Sequence, residues 1–523
     1  MTRRHLRVSR AAQVFQGSNA CQLPSAAQLL VEGGDARIRL DPLRGINQYG
    51  CAALPDPDVL AFGSSTASVI SARGLAAAEC LRERLQRALA TESAECVYAE
   101  EMERVRRELR GFCGLRGFAD SVGPDVVFAT SGTDLHLIAA QLVLTGEPCP
   151  RVVMIEEAET GSQVPAALRG HYFGVCAEHA EHAEHAEQAE NIGALNEAAA
   201  PLEIVSIPVR AEDGMSLPGP AVDAAVEALV AEAAMQGRRV LLILVDVAKT
   251  GLLAPSPACA IALKQRFPDQ LDVMVDACQF RLAPATLRAY LAQEFMVAVT
   301  GSKFLTGPSF SGALLLPEAI VKRLRAIPVP ASLWAYSTRA DWPAGWDVAA
   351  LADYANFGLL LRWEAALAEL RDFAALPEGV IMRVLDAFAD AVRQRLVDDP
   401  LMEAVSVPPL ERRAPIATAG WDSRQTIFPF LLRRPTGQYL SPAESMRIHQ
   451  LFQQGAGGVR CHLGQPVSCG CRAGQPVSAL RMCASARLVV EAASGFQATA
   501  AVIARAMLAF DQATALVRTL PSA

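Results

Sequence analysis

The chain has 523 residues, 51% hydrophobic and 20% charged, which is ample for buried cores and too apolar for disorder along most of its length. Its net charge of −7, from 48 basic and 55 acidic residues, argues against a dedicated nucleic-acid binder, which needs a basic face to displace counterions. Its 13 cysteines are too sparse for a disulfide scaffold, and an odd number reads as free thiols in a reducing cytosol.

The basic start, MTRRHLRVSRAAQVF, lacks the apolar stretch of a signal peptide. Residues 25–75 read as loop-rich, and Ser64-Ser65-Thr66 either cap a following helix or line a binding mouth. Two helical patterns follow, LAAAECLRERLQRALA and VYAEEMERVRRELRGF. From Val126 the period changes. Apolar runs at 126–130, 151–157, 202–209, 240–247, 271–277, 295–301 and 312–317 alternate with helical stretches. Such continuous runs fit strands buried on both faces of a mostly parallel sheet. The most apolar stretch, 240–263, carries Asp246, Lys249, Gly251 and two prolines, so it reads as a buried strand and its loop rather than a membrane span. Long helices are expected over 350–400. QTIFPFLL and ALRMCASARLVV are the strand candidates of a smaller α+β unit.

Two repeats stand out. AEHAEHAEHAEQAE (177–190) spaces His179, His182 and His185 three apart. It is either a metal-binding tract or a solvated alanine-glutamate helix in a surface insertion. GQPVS occurs at 464–468 and again at 474–478.

Four short motifs fall at strand ends, where open α/β sheets bind ligands. Thr130-Ser131-Gly132-Thr133-Asp134 precedes a helix and offers a phosphate cradle or an ordinary N-cap. Asp276, in Val275-Asp276-Ala277-Cys278-Gln279, places a carboxylate at the end of an apolar strand, where it needs a partner such as a cationic heterocycle. Lys303, in Thr300-Gly301-Ser302-Lys303, follows a strand among hydroxyls and glycine, a setting that suits a Schiff-base lysine; Lys249 is its rival. Arg481, on a late strand, suits a bidentate carboxylate clamp, with Arg460 and Arg487 as competitors.

The order of these motifs resembles the class V branch (aminotransferases and cysteine desulfurases) of fold-type I pyridoxal-phosphate (PLP) enzymes. The resemblance implies an α/β fold with a mostly parallel central sheet, helices on both faces, and a smaller C-terminal α+β domain. The implied division is an N-terminal segment (1–85) contributing to the substrate mouth and the small domain, a large PLP-binding domain (86–335, with an insertion near 177–200) and a small domain (345–523). Gly132, Thr133 and Thr300 would hold the cofactor phosphate, with Ser302 beside the lysine. Asp276 would pair with the pyridinium nitrogen, and Gln279 with the ring's phenolic oxygen. Lys303 would form the Schiff base and move the Cα proton. Arg481 would bind the substrate carboxylate, with His462 nearby. A homodimer is implied, in which Ser337 and Thr338 reach the partner's phosphate; no nucleic-acid or membrane partner is expected.

The departures are specific. Thr160 takes the place of the histidine that stacks on the cofactor ring in relatives, leaving His136 or His171 as substitutes. Leu463 occupies the position of the desulfurase nucleophile in Cys461-His462-Leu463-Gly464-Gln465-Pro466. Cys461 is displaced from it, and Cys469 and Cys471 lie beyond it. These thiols are inert or redox-sensitive, or form a metal site with His462; no metal is called. The preferred expectation is a cytoplasmic aminotransferase acting on an α-amino acid. A cysteine desulfurase or selenocysteine-lyase-like C–S lyase is the alternative, and a catalytically silent PLP-fold binding protein the alternative of another class.

Overall fold

The structure is a computed structural model that describes residues 22–115, 123–144, 148–173, 202–456 and 458–521. The tract carrying His179, His182 and His185 lies outside the described residues. Strand β1 (Val59–Phe62) belongs to the smaller of two sheets. The larger sheet contains β2 (Asp125–Ala129), β3 (Arg151–Ile155), β4 (Glu203–Ile207), β5 (Val240–Asp246), β6 (Leu253–Ala254), β7 (Leu271–Ala277), β8 (Met296–Thr300) and β9 (Gly312–Leu316). Its order is β2-β9-β8-β7-β5-β3-β4, with β6 on β5. Every residue of β3, β5, β7, β8 and β9 is buried, which is why these segments read as unbroken apolar runs.

The pairing from β4 through β3, β5 and β7 to β8 is parallel. Strand β9 runs antiparallel to both β8 and β2, so β2 points the same way as β8. The carboxyl ends of β2, β3, β5, β7 and β8 therefore share one edge of the sheet. Helices Gly132–Val143, Gly219–Met235, Pro257–Arg266 and Pro284–Ala292 pack against the sheet, and the whole is the α/β architecture expected.

The smaller sheet adds β10 (Met402–Ala404), β11 (Ile427–Leu432), β12 (Arg460–Arg472) and β13 (Gln475–Cys483), in the order β1-β12-β13-β11-β10. The stretch before Arg481 is the long strand β12. Its partner β13 follows through Ala473 and Gly474, both at positive φ, of +50° and +76°, the backbone a two-residue hairpin turn requires. The two GQPVS copies are thus the facing arms of one hairpin, with Ser468 opposite Ser478. The end of ALRMCASARLVV is helical over Ala486–Ala492, because the Ser485 hydroxyl accepts from the Leu488 N–H and starts a new helix. In the loop-rich N-terminal segment β1 pairs in parallel with β12, Ala61 opposite His462.

Helix Phe496–Thr519 is long and apolar enough to cross a membrane by length and composition alone. Its buried stripe of Val502, Ala506, Ala509, Phe510, Ala513 and Val517 packs instead on the helices and β1 of the smaller unit.

Candidate active site

The shared edge of the large sheet gathers the predicted residues. After β2 the chain turns into helix Gly132–Val143, capped by Ser131, whose hydroxyl accepts from the Asp134 N–H while Asp134 accepts from the Ser131 N–H at 3.0 Å. Gly312 of β9 faces both Ala129 and Thr300 in register, and this brings Thr300 beside the cap. A Cβ on Gly132 would lie 2.9 Å from the Cys278 sulfur and 3.0 Å from Thr300 Cγ2. Only glycine leaves the first helical N–H groups open to an anion there.

Two aspartates end adjacent strands, and their partners separate them. Asp246, at the end of β5, is held by Arg412 at 2.8 Å and by the Tyr290 hydroxyl at 2.7 Å; it is a structural ion pair. Asp276, near the end of β7, has no such clamp. Its Oδ1 accepts from the Cys278 N–H at 3.1 Å, and its Oδ2 lies 3.3 Å from His136 Nε2. Burial alone would raise its pKa, but the His136 ring, the Cys278 N–H and nearby Lys303 outweigh burial and hold the carboxyl well below the usual range. His136 is fixed for this task by its Nδ1, 2.9 Å from the Gly132 carbonyl. It therefore bridges the first residue of the helix and Asp276.

Lys303 lies just beyond β8. Its carbonyl accepts from the Ser68 hydroxyl at 2.8 Å. The next residue, Phe304, is fully buried and stacked on Trp421, with ring centroids 5.4 Å apart. Gln279 donates from Nε2 to the Ser65 carbonyl at 2.9 Å and leaves Oε1 without a partner. Thr300 Oγ1 donates to the Cys278 carbonyl at 2.6 Å. Ser302 is buried beside it, 3.5 Å between hydroxyls.

Arg481 is 1% exposed, yet no carboxylate pairs with it among the described residues. Its guanidinium donates to Thr66 Oγ1 at 2.7 Å and to the carbonyls of Gln465, at 3.1 Å, and Lys249, at 3.3 Å. Burial lowers its pKa. A desolvated cation without a counter-ion is costly and fits a carboxylate-bearing ligand. Burial, with Arg481 and Lys303 nearby, lowers the Lys249 ammonium to about 8. Lys249 sits in the loop after β5, where Glu159 ties the chain: its carboxylate takes Arg210 at 2.9 Å and the Thr250 hydroxyl at 2.7 Å. Thr160, next to Glu159, is buried with an unpartnered hydroxyl.

Ser64, Ser65 and Thr66 do not cap a helix; Ser71 caps the helix Ala72–Ala88. They are structural parts of the site: Ser64 accepts from Arg281 at 2.8 Å, Ser65 from Gln279 and Thr66 from Arg481. Other expected residues lie elsewhere. His462 is buried with its Nε2 2.9 Å from the Tyr49 carbonyl, and its hydrogen bond runs to the N-terminal segment, not to Arg481. Ser337 and Thr338 are buried; Ser337 accepts from Trp342 Nε1 at 2.8 Å. Cys461 and Leu463 sit in the apolar core, on the opposite side of β12 from Gly464, which faces Arg481. Burial pushes the Cys461 thiol up to about 12, so it supplies no thiolate at neutral pH.

Among the described residues, Thr160 Oγ1 and Gln279 Oε1 are buried without a hydrogen-bond partner. Buried polar atoms are normally hydrogen-bonded, so these two fit a polar ligand. Among solved structures, mouse CSAD matches at a TM-score of 0.50 with 16% identity, over 88% of this chain and 84% of that one. The cystine C–S lyase C-DES, in complex with cysteine persulfide, matches at 0.50 with 15% identity, over 86% and 97%. A C-DES variant with glycine covalently linked to its PLP cofactor matches at 0.50 with 14% identity, over 87% and 99%. The fold is that of the fold-type I PLP enzymes. At these identities the likeness establishes the fold alone. Rhodiola rosea 4-hydroxyphenylacetaldehyde synthase shares it at a TM-score of 0.50 and 13% identity, over 91% and 86%. No protein-family profile matches the sequence, and no curated protein sequence matches it.

Within this fold-type I architecture the sequence named His136, Asp276 and Ser64-Ser65-Thr66 but not how they pair. The His136–Asp276 contact joins residues on separate elements. For Ser64-Ser65-Thr66 the sequence left both a cap and a binding mouth open, because a small-polar cluster before a helix looks like a cap.

Proposed function

We propose that the chain is a PLP-dependent enzyme acting on an α-amino acid, with aminotransfer as its reaction. The observation that carries the reading is the buried Asp276, facing His136 and near Lys303 with no arginine paired to it among the described residues, together with the buried Arg481, to which no described carboxylate is hydrogen-bonded. Bound PLP supplies an electron-withdrawing ring that stabilises negative charge at the substrate Cα. Around it, the N–H groups from Gly132 and Thr133, with Thr300, would receive the phosphate. Asp276 would hold a proton on the ring nitrogen through its own negative charge. Gln279 would donate an amide N–H to the ring's phenolic oxygen, and Thr160 would stand where relatives place a histidine. Lys303 would carry the cofactor and move the Cα proton. Arg481 would fix the substrate carboxylate.

A C–S lyase is the second reading, favoured by the shared fold with the cystine C–S lyase C-DES. The burial of Cys461 and Leu463 in the core weighs against a thiol-relay desulfurase. We also propose a homodimer in the cytoplasm, the latter on the strength of the free cysteines.

The test is direct. Purified holoprotein has a visible band, borohydride reduction leaves a mass adduct on the peptide of Lys303, and Lys303→Ala loses both. Absence of band and adduct in the parent chain overturns the enzyme reading. An amino-acid screen then separates the reactions. Keto acid formed with stoichiometric conversion of bound cofactor to its amine form indicates transamination. Release of sulfide or a persulfide from cysteine or cystine indicates the lyase. Light scattering at the mass of one chain overturns the dimer.

A further inference from the structure

The N-terminal segment brings one more cation to the cradle. Arg37 lies in the short 3-10 turn Ala36–Ile38, whose cap is Asp35. Asp35 accepts from the Arg37 backbone N–H at 2.8 Å, from Nε at 3.0 Å and from Nη2 at 2.6 Å. The guanidinium is sandwiched between two rings, 4.8 Å from the centroid of Phe173 and 4.7 Å from that of Phe310. Its remaining edge is turned on the cradle: Nη1 is 3.5 Å from Thr133 Oγ1 and Nη2 is 3.4 Å from Ser131 Oγ. The side chain is only 15% exposed. Burial alone would lower its pKa, but Asp35 outweighs burial and raises it, so the cation is permanent.

The segment cannot drift. Gly33 has φ +64°, and a Cβ there would lie 1.9 Å from Asn356 Oδ1. The Gly33 carbonyl accepts from Asn356 Nδ2 and from Arg362 Nη2, each at 2.9 Å. Arg362, buried in helix Phe357–Ala374, also holds the carbonyl of Leu30 at 3.2 Å and that of Phe310 at 2.6 Å. One buried arginine thus fixes both the strip that carries Arg37 and the ring beneath it. A planar fork, held by Asp35 and reaching the cradle only through long hydrogen bonds of 3.5 and 3.4 Å from Nη1 and Nη2, matches the oxygens of a phosphate monoester beside a helix N-terminus. The buried Thr160 hydroxyl has no hydrogen-bond partner among the described residues; it adjoins Gly161, whose Cβ would lie 3.6 Å from Thr133 Oγ1, and it marks the space beside the cradle as one that takes a ligand.

We propose that Arg37, oriented by Asp35 and the Phe173–Phe310 sandwich, is a ligand of the cofactor phosphate, so that the N-terminal segment closes the cradle. The proposal rests on the PLP reading above. The test compares binding of PLP with binding of pyridoxal, which lacks the phosphate, to the apo form of the full chain, by fluorescence titration. Arg37→Gln is expected to weaken PLP by roughly 10- to 100-fold, the value of a charge-assisted hydrogen bond, and to leave pyridoxal unchanged. Arg37→Lys restores part of the loss, and Asp35→Asn gives an intermediate one. Equal losses for both ligands, or none for PLP, overturn the proposal. A variant that keeps PLP affinity but raises the KM of an amino acid with an acidic side chain reassigns Arg37 to substrate and also overturns it. If Arg37→Gln does not fold, the parent chain still decides. The phosphorus resonance of bound PLP is expected to stay that of the dianion across the pH range in which the free ester protonates, and a resonance that titrates as in free PLP overturns the proposal. Failure of the parent to bind PLP at all instead removes the functional reading itself.

Discussion

Lys249 gives a prediction whose size follows from its surroundings. The amine lies among Arg481 and Lys303, and burial, the largest influence, lowers it from 10.5 to about 8. In the unfolded chain it keeps its proton to about 10.5, so between these two values the unfolded chain binds more protons and stability rises with pH. Below the folded value the full penalty acts. At about 1.36 kcal/mol per pKa step, it is about 3 kcal/mol at neutral pH. Lys249→Met keeps the length of the side chain and removes the charge. Urea midpoints of the apo form, measured from neutral pH to beyond the unfolded value, should show the variant more stable by up to that amount at neutral pH. The gap should close as the parent deprotonates. A gap that stays constant with pH, or a less stable variant at neutral pH, refutes the reasoning.

His136→Phe removes the ring that faces Asp276 and so lifts the carboxylate's pKa; the acid limb of the activity profile should move to higher pH, and an unmoved limb counts against the pair. Cys461→Ser should leave turnover unchanged, because the thiol faces the core; loss of activity without loss of stability would reinstate a thiol in the reaction. Gly33→Ala meets Asn356 Oδ1 at 1.9 Å from a positive φ and should cost roughly 1–3 kcal/mol. Gly379→Ala, in a helix with nothing within 4 Å, should gain roughly 0.5–1 kcal/mol; thermal melts of the pair should diverge in opposite directions. Among the described cysteines, Cys80 and Cys96 are exposed and should be the first alkylated in the native chain, with Cys461, Cys469 and Cys483 reacting only after unfolding.

The large sheet was legible because β3, β5, β7, β8 and β9 are buried throughout: each announces itself as an apolar run, and the helices between the parallel strands enforce a crossover. The motifs at the strand ends were legible for the same reason, since the carboxyl ends of parallel strands form one edge. The smaller sheet was less so. Strand β12 mixes Gly464, Pro466, Ser468 and Gly470 with cysteines, a composition that reads as loop, and it extends only because it is paired with β1 on one side and β13 on the other. Strand β1 has only four residues, and its place depends on that same pairing.

The sequence by itself determined the fold class and the order of the candidate site residues, because these follow from local patterns at strand ends. Only the tertiary structure decided which charges are spoken for. It showed Asp246 taken by Arg412, Asp276 faced by His136, and Arg481 left without a carboxylate. It also brought Arg37 from the N-terminal segment to the cradle. Such pairings join residues far apart in the chain, and what a buried charge meets is set by the packing of separate elements, which no local pattern records.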